Sequence, residues 1–392
     1  MHIWQKLKQK SLDLKRPLSV LAPMADVTDV AFRTLISECG NPDMMWTEFV
    51  SADGLVRATP EGKKKLLADL QFGETERPIV AQLFGSRPEY MEEASYLVAS
   101  LGFDGIDINM GCPDKSIEKQ GAGAGMIKNP KRAQEIILAA KKGAERWAKE
   151  KNVDARGGEK NADANGKKSA DAGVEGGTEI FEPIPVSVKT RIGYNKNELE
   201  TWLPSLLEAN PALITVHART RKEMSKVPAR WEHVAEAVKI RDRVQADLPE
   251  IERTLIFGNG DVTSVEDGME KCAAAGADGA MLGRALFGNP WLFSGLKNQA
   301  TENTDDTQNN SQFAKYTQHI PSLEEKLRMT IRHAELFEKH LGNIKSFAIM
   351  KKHFKAYIND FEGAKELRTE LMERAENASD VKNIIENFLK SQ

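Results

Sequence analysis

Asp104-Gly-Ile-Asp-Ile-Asn-Met-Gly-Cys-Pro113 is the stretch from which the fold can be read. Ile106, Ile108 and Met110 alternate with other residues, the period of a strand with one apolar face. The run stops at Gly111 and Cys112, and Pro113 can neither continue a strand nor donate a ladder hydrogen bond. A thiol is thereby held at a strand end, where the backbone turns away. A glycine-rich segment, Gln120-Gly-Ala-Gly-Ala-Gly125, precedes the next helical pattern. A cysteine in such a place is either a small packing residue or a chemical group, and its surroundings must decide.

Working outward, seven more short apolar runs share this form. They lie near residues 18–22, 44–48, 78–84, 185–189, 212–217, 254–258 and 278–283. Helical spacing separates them, as over residues 27–39, 88–101, 130–150, 198–208, 231–243 and 265–275. Apolar strands that each lead into a helix predict a parallel sheet covered on its outer face. Eight of them in about 275 residues predict a (β/α)8 TIM barrel over residues 1–300. A doubly wound sheet would want a first-turn GxGxxG and a later acidic partner, which are missing.

Two segments depart from the rhythm. Residues from about 151 to 178 are rich in Gly, Ala, Asp and Lys and are predicted to be a flexible insertion. Residues 301–320 are polar and are predicted to be a linker. From 321 to 392 the pattern is helical, with Leu323, Leu327, Ile331 and Leu336 and then Phe347, Met350, Phe354 and Ile358 in register. A small all-helical C-terminal domain is the expectation.

Composition narrows the function classes. No apolar run approaches the roughly 20 residues that span a bilayer, and Met1-His-Ile-Trp-Gln-Lys6 holds no apolar signal core. Cys39, Cys112 and Cys272 lie far apart, without a CxxC pair, which speaks against a disulfide framework and against a zinc or iron–sulfur site. A cytoplasmic protein without a metal or a membrane partner is expected. The formal net charge of −3 does not mark a nucleic-acid binder, although a local basic face fits within a near-neutral total.

Barrels of this kind carry their chemistry at the C-terminal ends of the strands. Those ends hold Pro23 and Met24, Glu48, Gln82, Asn109 with Cys112, Lys189 with Arg191, His217 with Arg219, Asn259-Gly260-Asp261, and Gly283-Arg284. The last two suit a phosphate, because glycine lets backbone approach an anion and arginine offers a forked charged donor. Lys189 could stabilise negative charge on an electron-rich ring. Gln82 and Asn109 both donate and accept, as an imide edge requires.

With these motifs in view, the sequence resembles the tRNA-dihydrouridine synthases. The motifs that carry the likeness, in order, are Leu21-Ala-Pro-Met-Ala25, Ala81-Gln-Leu-Phe84, Asp107-Ile-Asn-Met-Gly-Cys-Pro113 and Gly121-Ala122. Then come Val188-Lys-Thr-Arg191, Val216-His-Ala-Arg-Thr-Arg221, Gly258-Asn-Gly-Asp261 and Gly283-Arg284. The likeness runs from about residue 18 to 371, interrupted by the insertion.

The resemblance implies an FMN-dependent oxidoreductase that uses NADPH to reduce the C5–C6 double bond of uridines in tRNA. It implies FMN contacts from Pro23, Met24, Ala25, Gln82, Lys189 and His217, and phosphate contacts from Asn259, Gly260, Asp261, Gly283 and Arg284. Cys112 becomes the proton donor, with Asn109 beside the uracil. A thiol that stays protonated near neutral pH suits an acid better than a nucleophile. Arg191, Arg219 and Arg221 at the mouth are candidate tRNA contacts. Lys351, Lys352 and Lys355 are others, in a helical stretch with Lys345 and His353 but no acidic residue. The alternatives are an FMN barrel acting on a free pyrimidine or a dihydroorotate-like molecule, and a non-catalytic RNA-binding barrel.

Overall fold

The computed structural model describes residues 2–157, 180–296 and 316–391. Most of the expected insertion, and residues 301–315 of the expected linker, lie outside the described residues.

Helix α1 (Ile3–Leu14) leads into β1 (Leu18–Leu21), α2 (Val30–Cys39) and β2 (Met45–Ser51). Next come α3 (Ala52–Arg57), α4 (Pro60–Ala68), β3 (Ile79–Phe84), α5 (Pro88–Ser100), β4 (Gly105–Met110) and α6 (Lys115–Glu118). The long α7 (Pro130–Gly157) precedes β5 (Val186–Arg191), α8 (Leu199–Glu208), β6 (Leu213–His217) and α9 (Glu232–Val244). The barrel ends with β7 (Leu255–Asn259), α10 (Val265–Ala275) and β8 (Gly279–Leu282). The eight strands are parallel, in the order β1-β8-β7-β6-β5-β4-β3-β2. A parallel bridge between Val20 and Met44 joins β1 to the start of β2, with Leu21 N donating to Met44 O at 3.1 Å. The sheet thus curls round into the expected barrel. Helix α7 extends past the residue-150 boundary expected for it and takes up the first residues assigned to the insertion.

Alternation on β4 sets the architecture. Ile106, Ile108 and Met110 belong to the large outer core between strands and helices, so Asp107 and Asn109 face inward. The floor of the barrel is filled by Leu18, Val20, Trp46, Val80, Phe257 and Met281. Helix α1 closes this end: its Trp4 is 2% exposed and lies 5.9 Å from Trp46 and 6.2 Å from Phe257, centroid to centroid. On β2 the register with β3 shifts between Trp46 and Phe49. Thr47 Oγ1 accepts from Gln82 N at 3.1 Å there, satisfying a ladder donor at the irregularity.

The C-terminal part is all-helical: α11 (Leu323–Leu341), α12 (Met350–Tyr357), α13 (Ala364–Arg374) and α14 (Ala378–Lys390). Ser322 and Glu325 form a capping box at the start of α11, which satisfies orphan N–H groups at that end. Helix α11 packs on α2 of the barrel and on α14. The contact with α2 holds a ring cluster. Phe32 stacks on His333 at 5.2 Å, and His333 lies 4.4 Å from His353.

His353 therefore does not join a basic face. It is fully buried, both its ring nitrogens are without a hydrogen-bond partner among the described residues, and burial pushes its pKa down to about 3. In the unfolded chain the imidazole titrates near 6.5, so as pH falls the unfolded state takes up its proton first. The stability tied to the neutral ring is present above about pH 6.5 and lost on the way to pH 3. Replacing His353 with Phe keeps a ring in the cluster and removes this loss. The variant should gain roughly 3 kcal/mol on the wild type between neutral pH and pH 4, at about 1.4 kcal/mol per pKa unit. Urea melts at the two pH values measure it.

Candidate functional site

Four strand ends, those of β5 to β8, and the loop after β1 converge on one cleft. Pro23, Met24, Lys189, His217, Asn259, Gly260, Asp261, Gly283 and Arg284 line a single cleft of about 680 Å3. That volume falls in the range of small-ligand sites. Ala25 and Gln82 are not among its lining residues. Gln82 is wholly buried inside the barrel, hydrogen-bonded to Asp107 and Asn109.

The cleft is strongly cationic. Lys189 Nζ donates to Asn259 Oδ1 at 3.0 Å, and burial, helped by Arg191, lowers its pKa to about 8. His217 is held well below the usual imidazole range, first by burial and then by Lys189, Arg191, Arg219 and Arg284. Arg219 Nη1 lies 3.1 Å from His217 Nε2. A guanidinium can only donate, so Nε2 accepts and the ring proton sits on Nδ1. Asp261 accepts from Arg219 and, at 2.5 Å, from Arg284, and these partners pull its pKa down to about 2.

The backbone here needs glycine. Gly260 has φ +120°, and a Cβ there would lie 2.9 Å from Ala229 Cβ and 3.1 Å from the His217 ring. Trp231 Nε1 donates to Gly260 O at 2.9 Å, fixing the turn.

Cys112 stands at the neighbouring strand end. Its backbone N–H donates to Asn109 Oδ1 at 2.9 Å, and its carbonyl accepts from Ala124 N at 2.9 Å. The glycine-rich segment packs on it: Gly123 has φ +57°, and a Cβ would meet the Cys112 carbonyl oxygen at 2.7 Å. Burial raises the thiol pKa, against the opposing pull of Lys189 and Arg191. The thiol is therefore protonated at neutral pH, the form a proton donor needs.

The candidate arginines are already engaged. Arg191 is buried, donating to Gly111 O at 2.7 Å and to Thr220 O and Met224 O at 3.2 and 3.1 Å. It clamps the turn that carries Cys112 to the loop after β6. Arg219 is buried between Val227 O, His217 and Asp261. Arg221 pairs with both Glu118 oxygens at 2.5 Å and lies 5.3 Å from the Tyr194 ring, over which Lys128 Nζ sits at 3.6 Å.

In the helical tail, Lys352 reaches to 3.4 Å from Asp26 at the mouth, while Lys355 is exposed and Lys351 half-exposed. Lys345 is spoken for. It lies 3.0 Å from Glu48 and 2.5 Å from Asp69, and Glu48 in turn accepts from Asp26 N. Neither that latch nor the role of Asp107 was singled out from the sequence. Asp107 could have been, because it shares the inward parity of Asn109. Among the described residues no helix is long and apolar enough to cross a membrane, and no His, Cys, Asp and Glu cluster is set to hold a metal.

A protonated thiol beside a cationic cleft, on the C-terminal rim of a parallel barrel, puts the chain in the class of (β/α)8 barrels whose rim carries an active site. The family model described as dihydrouridine synthase (Dus) matches residues 20–176 and 178–392, so the chain belongs to the dihydrouridine synthase family. A probable tRNA-dihydrouridine synthase of Staphylococcus aureus (strain COL) is 33% identical over 96% of this chain and 94% of its own length. Probable tRNA-dihydrouridine synthase 2 of Bacillus subtilis (strain 168) is 34% identical over 96% and 95%. Among solved structures, morphinone reductase in complex with tetrahydroNAD aligns with a TM-score of 0.41 at 12% identity, over 76% of this chain and 90% of that one.

Proposed function

We propose that this enzyme reduces the C5–C6 double bond of specific uridines in tRNA to 5,6-dihydrouridine, with FMN in the cleft and NADPH as electron donor, in the cytoplasm. The observation that carries this is the shared rim: Cys112, protonated, stands beside a cleft whose donors suit a flavin phosphate and ring. The fit rests on chemistry. Arg284 and the Asn259-Gly260-Asp261 turn offer a phosphate site, with Gly283 leaving room for backbone approach. Met24, with Pro23, gives an apolar wall for a planar ring, and Ala25 follows them on the same loop. Lys189 supplies positive charge against a reduced ring, and His217, kept neutral, adds none.

FMN, when bound and reloaded by NADPH, supplies the hydride that goes to uridine C6. The protein supplies the rest. Cys112 Sγ–H gives its proton to C5, and Asn109 holds both the loop of Cys112 and the imide edge of the uracil. Arg191 keeps the Gly111–Cys112 turn in place by its bond to Gly111 O.

A stacked uridine cannot enter this mouth, so the base must be turned out at a cost of a few kcal/mol. Cations holding the backbone offset that cost. Arg221, whose side chain keeps 21% of its exposure, is the candidate at the mouth, Arg219 being buried and engaged, and Lys351, Lys352 and Lys355 on α12 are those of the tail. The nearness of Lys352 to Asp26 supports a single tRNA track across tail and mouth. A free pyrimidine would need no such track.

The test is anaerobic. FMN-loaded protein is reduced and then mixed with unmodified tRNA or with free uridine and dihydroorotate's oxidised partner, orotate. Reoxidation of the flavin by tRNA, and far more slowly by the small molecules, is the expected result. Reoxidation by a small molecule alone overturns the tRNA reading.

A further inference from the structure

Inside the barrel runs a line of buried hydrogen bonds with a single polarity. Gly111 N–H and Cys112 N–H donate to Asn109 Oδ1 at 3.1 and 2.9 Å. Asn109 Nδ2 donates to Gln82 Oε1 at 3.0 Å. Gln82 Nε2 donates to Asp107 Oδ2 at 2.6 Å, and Ser187 Oγ donates to Asp107 Oδ1 at 2.6 Å. Asp107, Gln82 and Ser187 are wholly buried and Asn109 is 8% exposed. Strand register places them, since Asp107 is paired with Gln82 across β3 and with Ser187 across β5.

The two ends determine the middle. Backbone N–H groups can only donate, so Asn109 must turn its oxygen to them and its NH2 inward. Burial raises the Asp107 pKa to about 6, so at neutral pH and above the carboxylate is mainly ionised and can only accept, and Gln82 must turn its NH2 to Asp107 and its oxygen to Asn109. Flipping either amide would set donor against donor and acceptor against acceptor in a region closed to water, where each unmade bond is costly.

We propose that Asp107 and Gln82 are positioning residues that aim Cys112. Their donor–acceptor order holds the Asn109 oxygen against the N–H groups of the Gly111–Cys112 turn, and so fixes where the thiol points. Only the consequence for uridine reduction rests on the function proposed above; the positioning itself does not.

The experiment exchanges the two groups. Gln82→Glu alone sets two carboxylates side by side where a donor is needed. Adding Asp107→Asn restores the order. The amide now on β4 can accept from Ser187 and donate to the carboxylate now on β3, whose other oxygen accepts from Asn109. Charge in the barrel is then as in the wild type. The readout is the rate of iodoacetamide labelling at Cys112, resolved by peptide mass spectrometry and needing no tRNA.

Gln82→Glu at alkaline pH should label about tenfold faster than wild type, the scale of one unmade buried hydrogen bond. The excess over wild type should shrink as pH falls, when one proton can be shared between the carboxylates. The double variant should label at close to the wild-type rate, and a double variant that folds where Gln82→Glu does not is rescue as well. A double variant no better than Gln82→Glu in folding and labelling overturns the proposal, as does unchanged labelling in Gln82→Glu. If labelling behaves as expected but the wild type never reduces tRNA, the proposed substrate fails and the positioning stands.

Discussion

Cys112→Ala protein is expected to take up flavin and accept electrons from NADPH as the wild type does, while its reduction of tRNA slows by about 10²–10⁴-fold, the usual worth of a positioned proton donor. The separation follows from geometry. The side chains lining the cleft come from other strand ends, and Cys112 is not one of them. The Cys112 backbone bonds to Asn109 and Ala124 survive the substitution, so the loop keeps its shape and only the Sγ proton is lost. Burial holds the thiol protonated, so the wild-type rate should stay level through neutral pH and decline as the thiol ionises. Single-turnover kinetics of the oxidative and reductive halves separate the steps. Normal turnover with tRNA would return Cys112 to a packing role.

The second large effect concerns stability. Lys345→Met removes the cation between Glu48 and Asp69, whose side chains are 5% and 24% exposed, and Lys345 itself is 15% exposed. Breaking a buried pair from one side typically costs about 3–5 kcal/mol, because the remaining charge is left uncompensated. The loss should fall toward the lower end here. Burial already pushes Glu48 up to about 7 despite the pull of Lys345, so the carboxyl can escape by taking a proton. The same pair raises the Lys345 pKa, so the attraction is real at both ends, and at Glu48 the desolvation is larger.

The sign for Glu48 is the reverse of that for His353. A carboxyl raised in the folded state contributes most below its ordinary value of 4.5, and that contribution fades as pH rises through about 7. Lys345→Met should therefore be most destabilised at alkaline pH, and adding Glu48→Gln should recover much of the loss. Because Glu48 also accepts from Asp26 N beside the Pro23–Ala25 loop, the variant should weaken flavin binding too. Urea melts and flavin titration measure the two effects.

Local pattern carried much of this structure. The period-two run at Ile106, Ile108 and Met110 and the breaker Pro113 are properties of neighbouring residues, so strand β4 and the turn at Cys112 could be read directly. The rim motifs were likewise short and local, and nine of the eleven residues assigned to the cofactor line one cleft.

What the sequence concealed depends on distant partners. Lys345 and Glu48 are separated by 297 residues, and nothing near Lys345 tells that it faces two carboxylates rather than solvent. His353 sits in a run of lysines, yet the helix turns it into the rings of Phe32 and His333. Arg191 looks like a substrate contact by type, but the turn at Gly111 and the loop after β6 take up its donors. The irregularity in β2 between Trp46 and Phe49 breaks simple alternation in the strand that bears Glu48.

The central claim is tested most directly by incubating the purified, FMN-loaded protein with NADPH and unmodified tRNA, then digesting the RNA and weighing its nucleosides. The expected product is a uridine heavier by two hydrogens, formed only when flavin, NADPH and folded tRNA are all present. NADPH consumed with tRNA and flavin present, but with every uridine unchanged in mass, would contradict it.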